Sequence, residues 1–236
     1  MNEAEAHTSA FCFRRGCVRV MGKITALRIG RGQKKRIRVF LDDKFALSLE
    51  GEVVLKENLH VGQELSDSQI EALAGSDHFH RCLDAAAYYL GYRPRSESEI
   101  RERLYRRGFN ADSVEAVIVK LKEQGLVDDM AFAQFWKENR ESFSPRSQWL
   151  TKLELRRKGV ADDIVEQVVD AVDDYDGAYR AALSKVRILS LSDYQSFRRR
   201  LGGYLRRRGF SYEVIKHTVE RLWQEHGSRS RDSILP

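Results

Sequence analysis

Between Tyr194 and Tyr212 the chain carries six arginines and no acidic residue. Guanidinium groups without neighbouring carboxylates suit bidentate capture of carboxylates or phosphates on a partner. Drawn as one helix, the segment turns Leu201, Tyr204 and Leu205 one way. Arg199 and Arg206 fall nearly opposite, flanked by Arg200 and Arg207, with Gly202 and Gly203 between them on the outward side. Each glycine costs roughly 1 kcal/mol inside a helix. No internal need explains the pair, whereas close approach of another molecule would. The expected partner-binding set is therefore Arg199, Arg200, Arg206, Arg207, Gly202 and Gly203. Arg106, Arg107, Arg156 and Arg157 join it from equivalent positions upstream, although late-helix arginines also complement the negative helix end, at about 0.3–1 kcal/mol each.

Catalysis finds no foothold. The six histidines (7, 60, 78, 80, 217, 226) form no HExxH or triad-like spacing, and His78-Phe79-His80 is too isolated for a metal site. There is no phosphate-binding Gly-rich loop. The expectation is a non-enzyme without metal or cofactor. Cys12, Cys17 and Cys82 cannot all pair, which fits a reducing compartment. Cys82 sits on an apolar stripe and reads as core. No run approaches the roughly 18 apolar residues of a membrane span, and the N-terminus lacks a secretory apolar region, so a cytoplasmic protein is expected. A formal charge of +6 and a pI near 9.2 favour polyanions or acidic protein surfaces.

The elements that must position these residues repeat. Leu104-Tyr-Arg-Arg-Gly108-Phe109, Leu155-Arg-Arg-Lys-Gly159-Val160 and Leu205-Arg-Arg-Arg-Gly209-Phe210 are copies spaced by 51 and 50 residues, the mark of a helical repeat. With glycine in the left-handed position after a helix, the leucine and the residue beyond the glycine become the contacting pair of a Schellman cap. An apolar stripe follows each corner: Val114, Val117, Ile118, Leu121; then Val165, Val168, Val169, Val172; then Ile215, Thr218, Val219, Leu222. Asp112, Asp163 and Glu213 suit the first turns of these helices. A further helix precedes each corner segment: Cys82–Leu90, then one bearing Phe132, Phe135 and Trp136, then one bearing Tyr179, Ala182, Leu183 and Val186. Breaks fall at 91–98, 142–147 and 190–193, with Pro94 and Pro145 marking the first two. Phe132, Phe135 and Trp136 lie at helical spacing and read as core rather than as a stacking platform.

The expected fold is mainly α: three tandem three-helix, helix-turn-helix-like repeats after a small β-rich domain. The boundaries are a tail at 1–20, the β-rich domain at 21–76, repeats at 77–126, 127–174 and 175–227, and a tail at 228–236. In the β-rich domain, Ile24–Ile29 and Arg36–Leu41 have strand character, Asp42-Asp43-Lys44 is a turn, and Phe45, Leu47 and Leu49 alternate. Three strands are expected, with a short helix at Val53–Asn58 and a capping box at Ser66–Gln69 before Ile70–Leu73. Arg31, Lys34, Lys35, Arg36 and Arg38 read as a solvated connection.

The three corners, Asp128-Asp129-Met-Ala-Phe132-Ala and Arg207-Arg-Gly-Phe-Ser-Tyr212 resemble the RecX family of recombination regulators. Ile24-Thr-Ala-Leu, Phe40-Leu-Asp-Asp and Leu59-His-Val-Gly-Gln-Glu-Leu65 look like the β-rich extension of some members, and the resemblance covers roughly 22–225. It implies a non-enzymatic modulator lying in the groove of the RecA recombinase filament and suppressing ATP hydrolysis, strand exchange and co-protease activity; a monomer is expected. Direct contact with single- or double-stranded DNA is the alternative. Thr151 and Thr218 depart from the pattern, since aliphatic residues are expected there.

Overall fold

The computed structural model describes residues 21–30, 36–189 and 193–227. It divides into two compact units, one ending at Arg81 and one beginning at Cys82.

In the first unit, β1 (Gly22–Ile29), β2 (Ile37–Leu41), β3 (Lys44–Leu49) and β4 (Glu64–Leu65) form a sheet of order β3-β2-β1-β4. All its pairings are antiparallel. Asp42 and Asp43 both have positive φ, 47° and 64°. A tight two-residue hairpin demands that conformation, and a short polar side chain tolerates it. Ile24, Val39 and Leu49 are fully buried with Val53 of α1 (Gly51–Lys56) and with Leu65 and Leu73. Strand β4 adds a fourth strand to the three expected from sequence; two residues are too few to show an alternation. Ser66 and Gln69 make the reciprocal capping box, Ser66 N–H donating to Oε1 of Gln69 and Gln69 N–H to Oγ of Ser66.

Arg36 is not part of a solvated connection. Its guanidinium donates to the Ser48 carbonyl and to Oδ2 of Asp77 at 2.7 Å, and Oδ1 of Asp77 accepts from the Glu50 amide. Asp77 is buried, so this arginine ties the sheet to the following helix. Arg38 lies over the Phe40 and Phe45 rings. Arg31, Lys34, Lys35, Cys12 and Cys17 lie outside the described residues.

Helix α2 runs unbroken over Asp67–Leu90, joining what the sequence suggests are two helices. The second unit continues with α3 (Glu97–Arg106) and α4 (Ala111–Glu123). Next come α5 (Asp129–Phe143), α6 (Gln148–Arg157) and α7 (Asp162–Val169). The last three are α8 (Asp174–Val186), α9 (Tyr194–Arg206) and α10 (Tyr212–Gly227). Cys82 is fully buried, and burial pushes its thiol up to about 11, leaving it protonated and inert.

The three corners share one geometry. Gly108, Gly159 and Gly209 have φ of +83°, +76° and +86°. Phe109, Val160 and Phe210 donate to the carbonyls of Leu104, Leu155 and Leu205, and each glycine N–H bonds the carbonyl three residues back, at 2.9–3.0 Å. That is the paired bonding of a Schellman cap. Gly125 ends α4 in the same way, with Leu126 donating to Leu121 at 2.9 Å.

Junctions between repeats also follow one plan. Ser96, the N-cap of α3, donates its hydroxyl to the Lys158 carbonyl at the corner of the next repeat. Ser147, the N-cap of α6, donates its amide to the matching Arg208 carbonyl. The first amides of the same helices, Glu97 and Gln148, donate to Asp129 at 2.8 Å and to Asp174 at 2.7 Å. A Cβ at Gly159 would fall on the Ser98 side chain, and one at Gly209 would meet Leu150 Cβ at 2.7 Å, whereas one at Gly108 meets nothing. The second and third corners are thus seats for the preceding repeat. The first is open.

Candidate functional site

The third repeat presents its basic residues because its apolar ones are already committed. Asp193 caps α9, accepting from the amides of Gln195 and Ser196. Bonds from Ser196 and Gln195 hold that carboxyl below the usual aspartate range. Phe197, Leu201 and Leu205 are then buried against Ala178, Ala181 and Ala182 of α8 and against Phe210, Val219 and Leu222. Tyr194 rests on Trp223 with ring centroids 5.3 Å apart.

With that face buried, Gln195, Arg198, Arg199, Gly202, Gly203 and Arg206 are turned toward Tyr212, Ile215, Lys216 and Val219 of α10. Together they line a cleft of about 430 Å³. Four cations line it (Arg198, Arg199, Arg206 and Lys216) and no acid does. All four are exposed, and none forms an ion pair with a described residue. The floor is apolar: Phe210 and Val219 are buried, Ile215 half-buried. Setting aside the six arginines between 194 and 212 leaves 35 basic against 35 acidic residues, so this segment carries the whole charge excess of the chain.

Of the residues expected from sequence, Arg199, Arg206, Gly202 and Gly203 come together in this cleft. Arg200 and Arg207 are exposed but do not line it. The earlier copies differ in kind. Arg106 is engaged by Glu102 within its own helix, and Arg156 by Asp162 at 2.7 Å and Glu166 at 2.9 Å. Arg107 and Arg157 are exposed, away from the cleft. Arg208 serves the fold, donating to Ser144 and to the Pro145 carbonyl. Phe132 is core as expected, while Trp136 is half-buried and donates to Glu154, which also accepts from Arg140 and Arg146. Thr151 and Thr218 are both buried, and the Thr218 hydroxyl has no hydrogen-bond partner among the described residues.

Sequence reasoning left Arg198 out of the expected set and missed Lys216. Lys216 could have been found, since Tyr212, Ile215, Lys216 and Val219 form one i, i+3, i+4, i+7 face of α10. It missed the junction serines too, although Pro94-Arg95-Ser96 and Pro145-Arg146-Ser147 are a visible repeat lacking a counterpart before Asp193.

Tandem three-helix units define a helical repeat protein, and its third unit carries a basic cleft with no acid in its lining. Three family models match: "Regulatory protein RecX N-terminal domain" over 22–66, "RecX, first three-helix domain" over 82–121 and "RecX, third three-helix domain" over 173–219. The chain belongs to the RecX family of regulatory proteins. It is 35% identical over 142 residues to the regulatory protein RecX of Prosthecochloris aestuarii, covering 60% of this chain and 93% of that one. It is 27% identical over 205 residues to that of Clostridium botulinum strain Eklund 17B, covering 85% and 96%. Among solved structures, a regulatory protein RecX superposes with a TM-score of 0.60 at 23% identity over 84% of this chain and 99% of that one. RecX from Lactobacillus salivarius gives 0.53 at 24% over 62% and 97%; both likenesses concern the fold. No helix among the described residues is long and apolar enough to cross a membrane.

Proposed function

We propose that this protein is a non-enzymatic, cytoplasmic regulator that binds the RecA recombinase–DNA filament and inhibits its ATPase, strand-exchange and co-protease activities, so modulating recombinational repair. The family supports a regulatory role, and the observation that carries the contact site is the α9–α10 cleft, whose four cations form no ion pair with a described residue and whose lining holds no acid. A cation already paired within its own fold gains little from a new partner; unpaired guanidinium groups retain their full capacity for carboxylates or phosphates. Arg199 and Arg206 therefore lead the contact, with Arg198 and Lys216 beside them. Arg106 and Arg156, neutralised by their own helices and corners, are secondary.

The test is ATP hydrolysis by recombinase on single-stranded DNA, titrated with this protein. Arg199→Glu with Arg206→Glu should fold normally, since both side chains are exposed, and should inhibit only at concentrations about tenfold or more above the unaltered protein, a loss of about 1.4 kcal/mol. Equal inhibition by the folded double variant removes the cleft from the mechanism. No inhibition by the unaltered protein removes the proposal itself.

A further inference from the structure

Gly202 and Gly203 lie in the interior of α9, where nothing in the fold calls for glycine. Neither has positive φ. A Cβ at Gly202 would meet only Cγ2 of Ile215 at 3.5 Å, and one at Gly203 only Nη1 of Arg207 at 3.7 Å, both ordinary van der Waals contacts. The corner glycines behave differently: each is fixed by its backbone conformation, and two are closed over by the preceding repeat. The pair in α9 instead leaves space, and that space is the cleft.

The lining of the cleft says what would fill it. From Gln195 to Arg206 it follows three turns of α9, about 16 Å at the helical rise. Its rim is cationic on both sides, with Arg198, Arg199 and Arg206 from α9 and Lys216 from α10. Its floor is Phe210, Ile215 and Val219 beside the two glycines. A nucleic-acid strand would use the rim but not the floor, because non-specific strand binding couples a basic track to exposed aromatic faces for the bases. Here Tyr194 is turned onto Trp223, Phe210 is buried, and only Tyr212, 67% exposed, offers a free ring. A peptide with carboxylates flanking an apolar side chain uses both parts at once, in the manner of a segment laid in a groove between two helices.

We infer that the α9–α10 cleft of the third repeat is a docking groove for an acidic protein segment that inserts an apolar side chain over Gly202 and Gly203, with Arg198, Arg199, Arg206 and Lys216 holding its carboxylates. This rests on the reading of the cleft as a contact face and names the chemistry of what enters it.

The experiment uses the full chain and no recombinase. Fluorescence anisotropy follows a labelled acidic peptide carrying leucines at helical spacing, a second peptide with serines replacing the leucines, and a labelled single-stranded oligothymidylate. The expected result is that the leucine peptide binds about tenfold or more tighter than the serine peptide. Gly202→Leu should remove the leucine-dependent part while leaving oligothymidylate unchanged, and thermal melting should show that the variant is folded. Gly203→Ala, a smaller intrusion, should weaken the leucine peptide by less. Equal affinity for both peptides, or no change in a folded Gly202→Leu variant, overturns the inference. Loss of oligothymidylate binding in that variant also overturns it and makes the cleft a nucleic-acid site. Because the ATPase titration is independent, the inference can fail while filament inhibition stands.

Discussion

At the scale of single residues, the glycines of this chain separate into kinds that substitution should rank. Gly108 is held by backbone conformation alone, so Gly108→Ala should cost about 1–2 kcal/mol, the penalty of placing a Cβ in the left-handed region. Gly159 and Gly209 combine the same conformation with a closed seat, where the added carbon collides with Ser98 or with Leu150. Alanine at either should cost clearly more than at 108. Gly203 is the converse case: its replacement by alanine meets no collision and should raise stability by about 1 kcal/mol. Urea unfolding of the four variants checks the order, and a Gly108 variant as damaged as the Gly159 variant would contradict it. The corner conformation was legible in sequence, because Leu, Gly and the next apolar residue together specify a cap. The collision was not, since it depends on serine and leucine side chains contributed by the neighbouring repeat.

Among the elements, the two junctions share a frame but differ in titratable groups. At the first, Glu99 accepts from Arg93 at 2.8 Å and from Lys158 of the next repeat at 2.7 Å. Burial, the largest single influence, raises that carboxyl, but the bonds from Arg93 and Lys158 outweigh it and set it below the ordinary value of 4.5. A group lowered in the folded state adds stability above its unfolded value and withdraws it as pH falls through the folded one. Glu97 is lowered too, by Lys122 and Arg101 against the burial that would raise it. Asp129 and Asp174 run the other way: burial raises both, so their contribution is complete below the ordinary 3.8 and is lost on going up. The second junction has Gln148 and Leu150 where the first has Glu97 and Glu99. Acidification below pH 4.5 should therefore loosen the first junction before the second. Hydrogen exchange reads this directly, as earlier loss of protection in the first turn of α3 than of α6, and Glu99→Gln should reduce the difference. The helices themselves followed from apolar spacing and caps. The fusion of two of them into α2 did not, because Gly75-Ser76-Asp77, which reads as a break between two helices, lies inside the 24-residue helix.

For the whole molecule, the decisive quantity is where charge sits. The excess of +6 is borne by the segment between 194 and 212, while the remainder of the chain is balanced. A localised cationic face draws an acidic partner by long-range attraction, and salt screens it over about 10 Å at 0.1 M. Association with the recombinase filament, followed by stopped-flow mixing, should slow steeply as salt rises. Arg199→Glu with Arg206→Glu should flatten that dependence more than it changes dissociation; a salt response identical in the two proteins would place the attraction elsewhere. The run of arginines announced this face in the sequence. Its shape did not, because the cleft arises only where α10 lays Ile215 and Lys216 alongside α9.

The glycine seats carry a consequence for how such a chain can vary in length. The start of one three-helix unit fits the corner of its successor through the same residues at both places, an N-cap serine donating to a corner carbonyl (by its hydroxyl at the first junction, by its amide at the second) and an aspartate accepting from the first amide. The connection therefore behaves as a standard coupling. Splicing a second copy of the middle module between Asp173 and Asp174 would create a new joint from parts already made for one another, with Ser147 meeting a duplicate of the Gly159 turn. Reach along an extended partner could then be lengthened in steps of about fifty residues without redesigning any surface.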